Sequence, residues 1–129
     1  MERSLVSSGS PYEPVVGYSR AVRVGPHVFI AGTAPIMPGG ADPPPDSYGQ
    51  AKRCFEIILA ALEEAGARAE HVVRTRVFLT DAQHFDGVAR AHGEVFSSIR
   101  PANAMIIVRG LVDPRWLVEI EVDAVVNGE

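Results

Sequence analysis

The sequence contains a single cysteine, Cys54, which excludes an internal disulfide framework and a cysteine-built zinc site. Its four histidines, at positions 27, 71, 84 and 92, show neither His-x-His nor His-Glu-x-x-His spacing, so no metal site is expected. No Gly-x-Gly-x-x-Gly or phosphate-loop pattern points to a nucleotide, and no cofactor is expected. No serine sits in a Gly-x-Ser-x-Gly elbow. No run approaches the ~18 apolar residues of a membrane span. The opening residues, from Met1 to Ser10, lack the apolar core of a signal peptide, so a cytoplasmic location is expected. Positive charge is also short. A net charge of −4 gives no general electrostatic grip on nucleic acid or anionic lipid, and neither is expected as a partner.

What is present suits one globular domain spanning residues 1–129. Hydrophobic residues make up 47% and charged residues 22%, and a chain of 129 residues buries roughly two thirds of its unfolded surface. Residues 1–17, with Pro11 and Pro14 and little apolar periodicity, read as an extended N-terminal arm. Two β-prone runs, 19–24 and 27–31, flank Gly25-Pro26 as in a hairpin. Residues 33–46 hold five of the ten prolines and form a loop. Ser47-Tyr48-Gly49-Gln50 has the form of a capping box opening a first helix, whose stripe is Ala51, Phe55, Ile58, Leu62 and Ala65. Gly66 fits the left-handed position after it. A strand over 71–79 follows. Asp81 then caps a second helix with Phe85, Val88, His92, Val95 and Phe96 on its apolar side. Strands at 104–109 and 117–126 complete the order ββαβαββ. The expectation is an α+β fold, one mixed sheet with both helices on one face.

The last strand is the most informative. Val118, Ile120, Val122, Ala124 and Val126 share one parity, and Glu119, Glu121 and Asp123 the other, so three carboxylates line the face away from the helices. Strand 71–79 matches it, with Arg74 and Arg76 on one face and Val73, Thr75, Val77 and Leu79 on the other. Phe78 shares the charged face. A face that mixes apolar groups with opposite charges suits association with further copies of the chain better than open water.

Cys54 falls near the buried stripe of the first helix and His92 on that of the second, and both read as packed core residues. The remaining candidates are isolated: Tyr18, Arg20, Gly32, Thr33, Asn103, Met105 and Glu119. Composition and spacing assign them no task.

Taken in order, Gly17-Tyr18-Ser19-Arg20-Ala21-Val22, Val28-Phe29-Ile30-Ala31-Gly32-Thr33-Ala34-Pro35, Val77-Phe78-Leu79-Thr80-Asp81, Arg100-Pro101-Ala102 and Leu117-Val118-Glu119-Ile120-Glu121 resemble the YjgF/Rid family of reactive-intermediate deaminases. The resemblance implies a chorismate-mutase-like fold and a homotrimer whose sheets form a central barrel, with small-molecule clefts between subunits. It implies a water-directing role for Glu119 as the catalytic carboxylate, and substrate-binding positions at Tyr18, Gly32, Thr33, Asn103, Met105 and Arg20. Deaminating members place an arginine after Pro-Ala to pair with a substrate carboxylate; this chain has Asn103, which supplies no charge. Met105 stands where a cysteine is common. Arg20 and Arg109 are candidate substitutes for the lost cation, although a salt bridge at a subunit contact is the favoured reading of both. The readings left open are a cofactor-independent hydrolytic deaminase of small imines or enamines, and a non-catalytic trimer that binds a small metabolite. A ribonuclease fits poorly with the negative charge and the absence of paired histidines.

Overall fold

The computed structural model describes residues 2–127. Its order is β1 (Arg3–Val6), α1 (Tyr12–Val16), β2 (Ala21–Val24), β3 (His27–Thr33), α2 (Ser47–Glu64), β4 (Val72–Leu79), α3 (Phe85–Phe96), β5 (Ala102–Ile107) and β6 (Val118–Val125). The six strands form one sheet in the order β1-β2-β3-β6-β4-β5, with β4 and β5 parallel and every other pairing antiparallel. This is the expected α+β mixed sheet, with the ββαβαββ core intact and an extra strand at one edge. No helix among the described residues is long and apolar enough to cross a membrane.

The core lies between the sheet and the two long helices. Val118, Ile120, Val122, Ala124 and Val126 are buried, as their alternation predicts, against Ala51, Cys54, Phe55, Ile58 and Leu62 of α2 and Val88, Ala91 and Phe96 of α3. Phe55, Phe96 and His92 pack as an aromatic cluster, with Phe55 and Phe96 edge to face at 5.6 Å. Burial pushes the Cys54 thiol up, which keeps it protonated and inert. Gly66 adopts φ +83° past the end of α2, where Arg23 Nη1 donates to the Ala65 carbonyl at 2.7 Å.

Several sequence expectations change. The N-terminal segment begins at Met1, which lies outside the described residues. Within that segment Arg3–Val6 is extended but pairs with β2, and Tyr12–Val16 is helical. The first helix is capped by Asp46, whose carboxylate accepts from Gly49 N, so Ser47 and Gln50 do not form a capping box. The Gln50 amide is buried instead. It donates to the carbonyls of Pro44 (2.9 Å) and Arg115 (3.0 Å) and accepts from Leu117 N (2.8 Å), tying the loop before α2 to the entry of β6. Val73 is exposed, because a bulge between Val72 and Arg74 puts an extra residue opposite β6 and reverses its side. Phe85, the first residue of α3, stands at the end of the apolar stripe and is exposed. The penultimate strand starts at Ala102 and ends at Ile107, which leaves Arg109 exposed in the following loop.

The face away from the helices mixes the two kinds of group that its sequence announces. Arg76 pairs with Glu121 and, at 3.3 Å, with Asp123, while Phe29 and Ile106 stand exposed and Phe78 half-buried beside them.

Candidate functional site

At the end of this outer face β3 and β6 frame a cavity of about 430 Å³, lined by Tyr12, Tyr18, Arg20, Gly32, Trp116 and Glu119, with Val16, Ile36 and Val112 among its apolar walls. The register between β3 and β6 shifts by one residue between Ile30 and Thr33, and this bulge brings Gly32 against the Glu119 side chain. A Cβ at position 32 would overlap Glu119 Oε2, so glycine is needed here for close approach.

Glu119 is half-buried and, among the described residues, receives no hydrogen bond. Burial raises its carboxyl above the ordinary value; the charge of Arg20 opposes this and Glu121 adds to it. A carboxylate in this state is primed to take a proton. The obstructing atom at Gly32 is the far end of a flexible side chain, so Gly32→Ala is expected to keep the fold and displace the carboxylate. Any water-dependent turnover should drop about 100-fold with the melting temperature little changed.

Arg20 organises the cavity floor. Its side chain is almost wholly buried beside Glu13, at 3.9 Å. Nη1 donates to the Gly32 carbonyl (2.8 Å) and Thr33 Oγ1 (3.0 Å), Nη2 to Tyr18 Oη (3.2 Å), and Nε to Ser8 Oγ (3.3 Å). Within the chain it is an internal clamp rather than a free anchor. Tyr18 accepts from this clamp and keeps its own O–H to donate toward the cavity.

The seven sequence candidates therefore divide. Tyr18, Arg20, Gly32 and Glu119 meet at one cavity. Thr33 is buried, donates to the Ala31 carbonyl at 2.8 Å and lines a neighbouring cavity instead. Asn103 and Met105 lie on β5, at the opposite edge of the sheet. Asn103 Nδ2 donates to Thr75 Oγ1 at 2.9 Å, Thr75 meets His92 Nε2 at 2.8 Å, and Met105 packs on the core. None of the four histidines lines the Glu119 cavity, and no cluster able to hold a metal occurs among the described residues.

Tyr12 and Trp116 were not legible from sequence. Their rings meet edge to face at 6.3 Å and both line the cavity. The only signal was that Trp116 is the sole tryptophan and directly precedes the most regular strand.

The family model described as Endoribonuclease L-PSP matches residues 9–126. The chain belongs to the YjgF/Rid family. An uncharacterised protein of Streptomyces coelicolor is 42% identical over 123 residues, covering 92% of this chain and 89% of the relative. A RutC family protein of Pyrococcus abyssi is 35% identical over 112 residues, covering 86% and 88%. The crystal structure of a YjgF/YER057c/UK114 family member from Mycobacterium tuberculosis superposes with a TM-score of 0.87 at 45% identity, covering 97% of this chain and all of that one. Membership in the YjgF/Rid family accounts for the sheet order. It leaves the chemistry to the residues that line the cavity.

Proposed function

We propose that this YjgF/Rid protein is a cofactor-independent hydrolytic deaminase of small imines or enamines, working as a homotrimer with its clefts between adjacent subunits. The observation that carries the reading is the Glu119 carboxylate, half-buried beside Gly32 and, among the described residues, without a hydrogen-bond donor. Glu119 takes a proton from water as the oxygen bonds to the C=N carbon. It then returns that proton to nitrogen, and collapse of the carbinolamine releases ammonia. The Tyr18 hydroxyl donates to the nitrogen or the nascent oxygen and orients the addition. Arg20 holds Tyr18 and the Gly32 backbone in place through its hydrogen bonds.

The trimer is supported by the outer sheet face, where exposed Phe29 and Ile106 surround the Arg76–Glu121–Asp123 group. In this reading Asn103 and Met105 reach the cleft of the adjacent subunit. The expected solution mass at micromolar concentration is three times that of the chain. Arg76→Glu, which sets a third acid beside Glu121 and Asp123, should lower it to that of smaller species. A single-chain mass for the folded wild-type protein would end the inter-subunit reading.

The catalytic reading is tested by ammonia release from freshly generated imines, with and without a carboxylate, measured against spontaneous hydrolysis. Acceleration of none of them overturns it. One observation favours a second reading, a trimer that binds a metabolite without turnover: Asn103 supplies no cation and its amide is already committed to Thr75. Ligand-dependent thermal stabilisation without ammonia release would select that reading.

A further inference from the structure

A line of hydrogen bonds within one chain runs from the helix layer to the edge of the sheet. Parallel pairing sets Thr75 of β4 beside Asn103 of β5, so the two side chains share the face toward the helices. His92 of α3 meets Thr75 there, Nε2 to Oγ1 at 2.8 Å, and Asn103 Nδ2 donates to the same oxygen at 2.9 Å. β5 is the edge strand, and Asn103 is exposed on it. Thr75 is 0% exposed, and among the described residues His92 and Asn103 are the only hydrogen-bond partners of its hydroxyl.

This geometry fixes the direction of every proton in the line. A buried hydroxyl without an acceptor is costly, and the Asn103 Nδ2 group offers Thr75 none. The Thr75 proton therefore goes to His92 Nε2, so His92 is neutral and carries its own proton on Nδ1. Asn103 is left with Oδ1 and one N–H uncommitted. The line has one other self-consistent arrangement. A His92 cation donates from Nε2 to Thr75, the Thr75 hydroxyl turns to Asn103, and the amide rotates to offer it Oδ1. Both N–H bonds of Nδ2 then become free.

We infer that His92, acting through Thr75, is a positioning residue that sets which end of the Asn103 amide the sheet edge offers to a ligand. This deepens the proposed function and rests on its inter-subunit reading, which brings the ligand of a neighbouring cavity to Asn103. Around His92 stand Phe55 of α2 and Phe96 of its own helix, with ring centroids at 5.9 and 4.8 Å, besides Thr75 of β4 and, beyond it, Asn103 of β5. No charged side chain among the described residues hydrogen-bonds or ion-pairs with it, and burial alone lowers its proton affinity. The neutral arrangement thus holds at neutral pH and reverses on acidification. Above the titration the amide offers one acceptor and one donor, and below it two donors. A carboxylate gains one charge-assisted hydrogen bond from the reversal.

NMR on the intact, isotope-labelled protein reads the line directly. Long-range proton–nitrogen spectra at neutral pH should show His92 protonated on Nδ1 and bare on Nε2, the minor tautomer of free histidine. A proton on Nε2 would overturn the inference, whatever the protein binds.

Calorimetry with 4-methyl-2-oxopentanoate, a carboxylate that stays ionised, reads the consequence without turnover. Glu119→Gln protein serves as the background, which removes the other titrating carboxyl of the cavity. Affinity should rise about tenfold as pH falls through the His92 titration. Adding His92→Phe keeps the aromatic cluster but leaves Asn103 Oδ1 as the sole acceptor for Thr75, so the tighter affinity should persist at neutral pH. Thr75→Val should abolish the pH response, and Thr75→Ser should retain it. No rise in the background protein, or a rise unchanged by both His92→Phe and Thr75→Val, overturns the inference. Failure of the broader readings shows separately. A single-chain mass overturns the inter-subunit reading, with the tautomer still read in the free chain. Ammonia release from no imine overturns the catalytic reading and leaves the binding result standing.

Discussion

Glu119→Gln is expected to reduce ammonia release by about 10²–10⁴-fold, to the spontaneous rate or near it, without lowering the melting temperature. Glutamine preserves the size of the side chain and its approach to Gly32, so the cavity keeps its shape. What is lost is the ability to take a proton. The stability half of the prediction follows from the direction of the carboxyl's shift. Burial holds the folded-state value above the unfolded one, against the pull of Arg20. Between those two values the folded protein binds the extra proton, so Glu119 weakens the fold progressively as pH rises through that window, and fully above it. The amide removes that penalty, and the variant should melt at or above the wild-type temperature at neutral pH. A variant that melts lower and still releases ammonia would show that the carboxylate is structural.

The same direction fixes the acid limb of the pH–rate profile. The unprotonated carboxylate is the working form, so kcat/KM should fall as pH drops through a value above the ordinary glutamate range. The limb should vanish in Glu119→Gln.

The parts of this fold that sequence displays are those where one strand or helix determines its own pattern. On β6 the alternation of aliphatics with Glu119, Glu121 and Asp123 is unbroken, and the buried and open faces follow from it directly. On β4 the same rule misassigns Val73, since a bulge changes parity without leaving a mark in composition. The helix α1 was hidden by its prolines. Pro11 stands at the cap and Pro14 in the first turn, where the backbone has no intrahelical acceptor to lose, so neither breaks the helix. Ser47-x-x-Gln50 matched a capping pattern, but Gln50 satisfies three backbone groups of two distant loops, a demand that exists only after folding. The cavity shows the same division. Glu119 and Gly32 stand out through strand parity and family motif, whereas Tyr12 and Trp116 meet only because α1 and the entry to β6 fold together.

Arg20→Met is expected to cost about 3–5 kcal/mol, the range for removing one member of a buried charge pair. For a chain of this size that corresponds to a melting temperature lower by about 10–20 °C. The Arg20 and Glu13 side chains are only 4% and 7% exposed, so solvent does little to screen either. Methionine fills much of the space but leaves Glu13 as a buried negative charge. Only Ser8 and Ser7 then remain to stabilise it, through Oγ donors at 2.6 and 2.9 Å and the Ser8 backbone N–H. The Gly32 carbonyl and Tyr18 Oη also lose a donor, which should loosen the cavity floor. In the wild-type protein burial works against the Glu13 carboxylate, but those serine hydrogen bonds and the charge of Arg20 outweigh it and hold the carboxyl below its ordinary value. A depressed folded-state value means that the wild-type stabilisation is complete above the unfolded value of about 4.5 and is lost as pH falls through the folded one. The Arg20→Met deficit should therefore be largest near neutral pH and narrow on acidification, as Glu13 is protonated in both proteins. Thermal melts between pH 3 and pH 7 measure this. The double variant with Glu13→Gln should regain part of the loss, because the uncompensated charge is gone. A single-variant cost under about 1 kcal/mol, with no recovery in the double variant, would show that the pair is hydrated in solution and that Arg20 does not set the floor of the cavity.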